Sequence, residues 1–214
     1  MRYRGIIFDL DGVICSTDEY HYQAWRALAD KIGAIGFGRA DNARQRGVSR
    51  MESLEVVLEK APKTYTPEEK LGLAKWKNNT YRELLANMSP ADLTEEVKDT
   101  LDALRQKGLL LAIGSSSKNA PFILERIGLG DYFDRISDGN NITHAKPDPE
   151  VFLLAAQYLG LEPKDCLVVE DAFSGIDAGI AGGFDTAAIG DATRYDKPTY
   201  KRSTFSDLLM IVEE

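Results

Sequence analysis

Asp9 and Asp11, in the run Phe8-Asp9-Leu10-Asp11-Gly12, stand directly after a short apolar stretch, Tyr3 to Phe8, centred on the β-branched pair Ile6 and Ile7. Glu170 and Asp171 follow a second such run, Cys166 to Val169, and Ser115 follows a third, Leu109 to Ile113, with Gly114 between. Runs of this kind suit strands buried on both faces. In an open α/β sheet, ligands bind beyond the carboxyl ends of the strands, which is where Asp9, Asp11, Ser115, Glu170 and Asp171 then fall. Carboxylates converging there repel one another, and a hard divalent cation with oxygen ligands relieves that repulsion. Magnesium fits, because it takes one or two carboxylates together with water and substrate phosphate. Any one of these aspartates alone reads equally well as a helix cap or the start of a turn. It is the ordered set, Asp-x-Asp-Gly then Ser then Glu-Asp, that points to a metal-dependent site.

The elements that must position these residues follow from periodicity. Thr186 to Ile189, ending at Gly190, reads as a further strand. Between the strands lie helical patterns. Val97, Leu101 and Leu104 sit behind a Thr94 cap and ahead of Gly108, and another helix runs from about Asn119 to Ile127. A third has Asp148 as cap, Pro149 at its first position and Gly160 past its end, and a fourth follows Asp171 through Ile176 and Ile180. Alternating helix and strand implies an α/β fold with a Rossmann-like parallel sheet core flanked by helices. From about Ser16 to Pro90 the pattern is helical with no strand, opened by candidate capping boxes at Ser16 with Glu19 and at Thr66 with Glu69. The expected organisation is a catalytic core of residues 1–15 and 91–214, with 16–90 as an inserted all-helical cap hinged near Cys15 and Ser89.

Composition narrows the function classes. The 214 residues are 43% hydrophobic, enough for a sizeable core, and their net charge of −8 argues against nucleic acid, which needs a basic face. No stretch approaches the roughly 18 apolar residues of a membrane span, and no signal peptide precedes MRYRGIIFDLDG, so a cytoplasmic protein without a membrane partner is expected. Cys15 and Cys166 lack the spacing of a zinc site or a disulfide framework and read as buried, reduced thiols. An anionic ligand would then need cations concentrated locally.

The ordered set Phe8-Asp9-Leu10-Asp11-Gly12, Ser115, Lys146 and Glu170-Asp171 resembles the motifs of the haloacid dehalogenase superfamily of aspartate-nucleophile phosphotransferases. The resemblance implies that Asp9 attacks phosphorus to form an aspartyl-phosphate, with Asp11 as general acid and base. It places Mg2+ on a side-chain oxygen of Asp9, the backbone carbonyl of Asp11, Asp171, and Glu170 directly or through water. Ser115 and Lys146 would bind the phosphoryl oxygens, in keeping with catalysis by positioning and charge neutralisation. Lys146 precedes Pro147, which biases it to extended backbone outside a helix.

Further runs resemble the sugar-phosphate mutase branch of that superfamily over nearly the whole chain: EYHYQAW around His21, RGVSR, LAKWKN around Lys77, SPADL from Ser89, and SSSKN. This resemblance implies a substrate site of His21, Arg46, Gly47, Val48, Ser49, Arg50, Lys77, Ser116, Ser117, Lys118 and Asn119. Arg50 with Ser117 and Lys118 would grip a distal phosphate, and Arg46 and Lys77 would line the cap. His21 reads either as a packed, hydrogen-bonded histidine or, by resemblance, as a residue that couples substrate hydroxyls to Asp11. The implied partners are a sugar phosphate and a sugar bisphosphate, the implied reaction the interconversion of beta-glucose 1-phosphate and glucose 6-phosphate, and the expected state a monomer. Trp25 and Trp76 read as packing residues, either of which could border the sugar, and His144 reads as an ordinary loop residue. A sugar-phosphate phosphatase uses the same catalytic residues and remains the chief alternative. A phospho-receiver switch also gathers Asp, Ser and Lys at strand ends, but has no use for a helical insertion.

Overall fold

The computed structural model describes residues 2–45 and 48–213, so the expectations at Arg46 and Gly47 lie outside the described residues. The chain divides into two compact units, residues 1–16 with 88–214 and residues 17–87.

The larger unit is built on a parallel sheet. Its strands are β1 (Gly5–Phe8), β2 (Leu110–Gly114), β3 (Arg135–Ser137), β4 (Cys166–Glu170), β5 (Asp185–Ala188) and β6 (Tyr200–Lys201), in the order β3-β2-β1-β4-β5-β6. Every pairing is parallel, and β1 is central, with Ile7 opposite Ala112 on one side and Val168 on the other. The strands β1, β2, β4 and β5 coincide with the apolar runs of the sequence, as a strand covered on both faces requires. The chain works outward from β1 to β3 and then crosses to β4 on the other side. That reversal opens a crevice at the carboxyl ends of β1 and β4.

The smaller unit contains α1 (Asp18–Ile32), α2 (Arg39–Ala43), α3 (Arg50–Leu58) and α4 (Pro67–Leu85). Its core is Trp25, Leu28, Ala29, Phe37, Leu54, Val57 and Ala74. Thr66 caps α4 as expected, its Oγ1 accepting the Glu69 N–H at 3.2 Å. The capping box expected at Ser16 and Glu19 does not form. The N-cap of α1 is Thr17, which makes no side-chain capping bond and instead accepts a hydrogen bond from the Tyr81 hydroxyl at 2.9 Å. Glu19 pairs with Arg39 at 2.7 Å.

The helices of the larger unit are α5 (Glu95–Gln106), α6 (Ala120–Arg126), α7 (Glu150–Leu159), α8 (Phe173–Ala181) and α9 (Leu208–Glu213). Side chains alternate along β1, so Ile7 joins Phe152, Ala155 and Ala178 of α7 and α8, while Phe8 stacks on Phe205 ahead of α9. Helix α7 starts one residue later than expected, with Pro149 as N-cap, and Asp148 still serves its first turn by accepting the Glu150 N–H at 2.9 Å. Both cysteines are buried free thiols, and burial pushes Cys166 up to about 12.

Candidate active site

Asp9 is the first residue beyond β1, and its N–H donates to the Val169 carbonyl at 2.9 Å, so the sheet's hydrogen bonding extends to the residue that carries the carboxylate. The chain then turns sharply, with the Gly12 N–H on the Cys15 carbonyl at 2.7 Å. Gly12 has φ +89°, a conformation side-chain-bearing residues rarely adopt, and a Cβ there would lie 2.1 Å from Asp171 Oδ2. Glycine at this position is what lets the β1 loop pass beside the carboxylate that follows β4.

Lys146 ties the two strand ends together. Its Nζ donates to Asp9 Oδ1 and, at 2.6 Å, to Glu170 Oε1. The three side chains are 8%, 11% and 2% exposed, respectively, which makes this a buried ionic cluster and not a surface pair. The ammonium also rests 4.5 Å from the ring centroid of Phe152, and that ring packs so closely on β2 that a Cβ on Gly114 would lie 2.6 Å from it. Glu170 is held from the other side, where Oε2 accepts the Ala172 N–H at 2.9 Å. A Cβ on Gly175, in α8, would fall 1.8 Å from Glu170 Oε1.

The electrostatics follow from this crowding. Burial, reinforced by Glu170 and Asp11, pushes Asp9 up to about 7 against the pull of Lys146. Burial, with Glu170, Asp9 and Asp11, pushes Asp171 up to about 8. Burial works to lower Lys146, but Asp9 and Glu170 outweigh it and hold the ammonium above the ordinary lysine value. Asp9, Asp11, Glu170 and Asp171 thus carry more negative charge than Lys146 compensates, and the glycines at 12 and 175 leave room for two of the carboxylates. Oxygen donors in excess of cations, raised by burial and mutual repulsion, fit a hard divalent metal ion.

The loop after β2 supplies hydroxyls. Ser115 is 3% exposed, and its N–H donates to the Ser137 carbonyl at 3.0 Å. Ser115 Oγ accepts the Ser117 N–H, and Ser117 Oγ accepts the Asn119 N–H, each at 3.2 Å. A hydroxyl that accepts in this way keeps its proton for an anion. Ser116 and Lys118 are exposed, Ser117 half-buried and Asn119 buried. Asp9, Asp11, Ser115, Lys146, Glu170 and Asp171 are therefore all brought to the carboxyl end of the one sheet. His144, Asp148 and Glu150 lie within 4.8 Å of one another, but Glu150 is occupied by the N–H groups of Thr143 and His144, so this exposed group secures the loop carrying Lys146.

The candidates in the smaller unit are placed differently. Lys77 is 3% exposed, and its Nζ donates to His21 Nδ1 at 2.8 Å, between the rings of Trp25 and Tyr81 at 4.5 and 4.6 Å. His21 stacks on Tyr81 with centroids 4.0 Å apart. A lysine cannot accept, so Nδ1 is unprotonated, and burial with the Lys77 charge holds His21 well below the usual histidine range. Ser49 is the N-cap of α3, accepting the Glu52 N–H at 3.2 Å, so Arg50 opens that helix, exposed, and Val48 is exposed beside it. Trp25 packs in the core of this unit. Phe152, Gly175 and Tyr81 are parts that reading by charge passed over. Their only signals are a glycine inside a helical pattern and an aromatic four residues from Lys77.

The family described as haloacid dehalogenase-like hydrolase matches residues 3–183. The chain is 41% identical over 189 residues to the beta-phosphoglucomutase of Bacillus subtilis (strain 168), covering 87% of this chain and 83% of that protein. It is 32% identical to the fructose-1-phosphate phosphatase YqaB of Escherichia coli (strain K12), covering 88% of this chain and 97% of that protein. The crystal structure of beta-phosphoglucomutase from Clostridium difficile superposes with a TM-score of 0.88 at 35% identity, over 99% of this chain and 96% of that one.

Proposed function

Because the chain belongs to the haloacid dehalogenase-like hydrolase family and is an enzyme, we propose that it is a mutase interconverting beta-glucose 1-phosphate and glucose 6-phosphate. The observation that carries the reading is the seat of Asp9: a carboxylate at the mouth of the central strand, oriented by Lys146, with Ser115 just beyond the neighbouring strand β2, in a chain 41% identical to a beta-phosphoglucomutase.

In this reading a carboxylate oxygen of Asp9 attacks phosphorus, an O–P bond forms, and the bond to the sugar oxygen breaks. Asp11 gives its proton to the departing oxygen, and takes one from the incoming hydroxyl in the reverse sense. Ser115 and Lys146 hold the phosphoryl oxygens while charge spreads over them. Asp9, the Asp11 carbonyl, Asp171 and, directly or through water, Glu170 would hold a Mg2+ ion, which would supply further neutralisation of that charge. The Asp9 aspartyl-phosphate hands its group to one hydroxyl of the sugar phosphate. The resulting bisphosphate turns end for end, and Asp9 takes back the other group. Arg50, Ser117 and Lys118, with Asn119, are the proposed holders of the distal phosphate, and His21 and Lys77 are proposed to serve the sugar. The smaller unit would act as a cap that keeps water from the aspartyl-phosphate.

The second reading, a sugar-phosphate phosphatase, is favoured by the resemblance to the Escherichia coli fructose-1-phosphate phosphatase and uses the same residues with water as acceptor. A coupled assay with beta-glucose 1-phosphate, Mg2+ and a trace of glucose 1,6-bisphosphate separates the two. Formation of glucose 6-phosphate, abolished by Asp9→Asn, is the expected result. Release of inorganic phosphate without isomerisation would overturn the mutase reading.

A further inference from the structure

The loop after β2 leaves its strand at Ser115 and presents Ser116 and Lys118 to solvent, yet it has to hold a fixed shape to place any phosphate. Its neighbour is the turn that follows β3. Pairing between the two continues past the sheet: the Ser115 N–H donates to the Ser137 carbonyl at 3.0 Å, and the Gly139 N–H to the Ser117 carbonyl at 3.3 Å. Beyond these, Asn140 Nδ2 donates to the Lys118 carbonyl at 3.1 Å. The turn is stiffened by its own bonds. The Asn140 N–H donates to Asp138 Oδ1 at 2.7 Å, the Asp138 N–H to Asn141 Oδ1 at 3.1 Å, and the Asn141 N–H to the Asp138 carbonyl at 3.0 Å. Asp138 is 4% exposed, so its carboxylate is committed to this closure.

Close approach completes the contact. A Cβ added to Gly139 would lie 2.4 Å from the Ser116 carbonyl oxygen and 2.8 Å from the Lys118 nitrogen. Both are backbone atoms, so no side-chain rotation relieves the clash, and the loop itself would have to move.

We propose that Asp138-Gly139-Asn140-Asn141 is a positioning element that sets the backbone of Ser116 to Lys118, and with it the grip on the distal phosphate. Gly139 acts by close approach and Asn140 by its amide donor. The inference rests on the reading in which Ser117 and Lys118 hold that phosphate. Neither Gly139 nor Asn140 touches the reacting atoms.

The test compares wild type, Gly139→Ala and Asn140→Asp. The second variant keeps the shape of the side chain and removes the donor, and being exposed it preserves the fold if the first does not. Gly139→Ala is expected to raise KM for beta-glucose 1-phosphate roughly tenfold or more, since sub-ångström misplacement of binding groups is felt strongly, with kcat changed less. Asn140→Asp is expected to raise it roughly fivefold, the value of one hydrogen bond. Turnover of acetyl phosphate, which has no distal phosphate, should stay within about twofold of wild type in both. Calorimetric titration of glucose 1,6-bisphosphate onto Asp9→Asn proteins carrying each change gives the same comparison without turnover. A bisphosphate Kd unchanged in both variants would overturn the proposal, whether or not the wild type isomerises sugar phosphates. An equal loss on acetyl phosphate would overturn it too, by placing the effect at Asp9. A wild type that binds the bisphosphate but never isomerises would instead sink the mutase reading, leaving the Kd ratios to judge the turn.

Discussion

Replacing Lys146 by methionine keeps the length of the side chain and removes the ammonium that joins Asp9 to Glu170. A surface ion pair would contribute about 0–1 kcal/mol. Here the three side chains are 8%, 11% and 2% exposed, respectively, and stripping one partner from a buried cluster costs about 3–5 kcal/mol, because the remaining charge is left uncompensated. For a chain of 214 residues each kcal/mol moves Tm by about 2–4 °C, which gives a fall of roughly 6–20 °C in the presence of a chelator at pH 8. The pH dependence has a definite sign. Asp9 is raised from 3.8 to about 7 in the fold, so native protein binds a proton there more tightly than unfolded chain does. The penalty is absent below the unfolded value and complete above the folded one. Without Lys146 the folded value rises further, so the variant's deficit is expected to be smaller at pH 5 than at pH 8. Adding Glu170→Gln removes one stranded charge and should recover part of the loss. Thermal melts followed by circular dichroism, at both pH values with chelator and with Mg2+, measure all of this. A variant melting within about 2 °C of wild type at pH 8 in chelator would refute the claim that this cluster is buried and mutually dependent.

Gly175→Ala puts a methyl 1.8 Å from Glu170 Oε1, so the carboxylate must move; kcat/KM is expected to fall on the order of 100-fold at saturating Mg2+, with about 1–3 kcal/mol of stability lost to overpacking, measured by steady-state kinetics and urea melts. Asp134, opposed by its own burial, is held below the usual carboxylate range by the Leu111 N–H at 2.8 Å and by Arg105, so its stabilisation is present above about pH 4 and lost as pH falls through its folded value. Asp134→Asn should therefore lower stability by about 1–3 kcal/mol at pH 7 and by much less near pH 3, and equal losses at the two pH values in urea titrations would contradict that account.

The sheet's inner strands were legible because burial on both faces forces unbroken apolar runs: β1, β2, β4 and β5 all show them. The outer strands were not. β3 begins at the exposed Arg135 and β6 is only Tyr200–Lys201, so neither has an apolar run to betray it. The carboxylates of the candidate site stood out because charge at a strand end is unusual. Gly175 and Phe152 did not, since what they contribute is space and a surface, and neither has a chemical type that announces a site. Lys77 illustrates the opposite limit. A lysine in a helical pattern reads as solvated, and only the assembled walls of Trp25 and Tyr81, with His21 as acceptor, make a buried position tolerable. Thr17 likewise could not reveal that its oxygen would be engaged by Tyr81, sixty-four residues away along the chain.

The central place of β1 has a consequence for how the molecule comes into being. Strand β1, which ends just before Asp9, precedes both of its neighbours along the chain: they lie at Leu110–Gly114 and Cys166–Glu170, so Gly5 meets Leu110 only after the whole helical insertion has emerged. Contacts so remote along the chain fold slowly, and until β4 arrives one edge of this buried strand has nothing to pair with. Glu170 is the last residue of that final neighbour. The second partner of β1 and the carboxylate that Lys146 joins to Asp9 thus arrive with the same few residues, and a nascent chain cut short before them would hold Asp9 beside an open edge, prone to associate with its like.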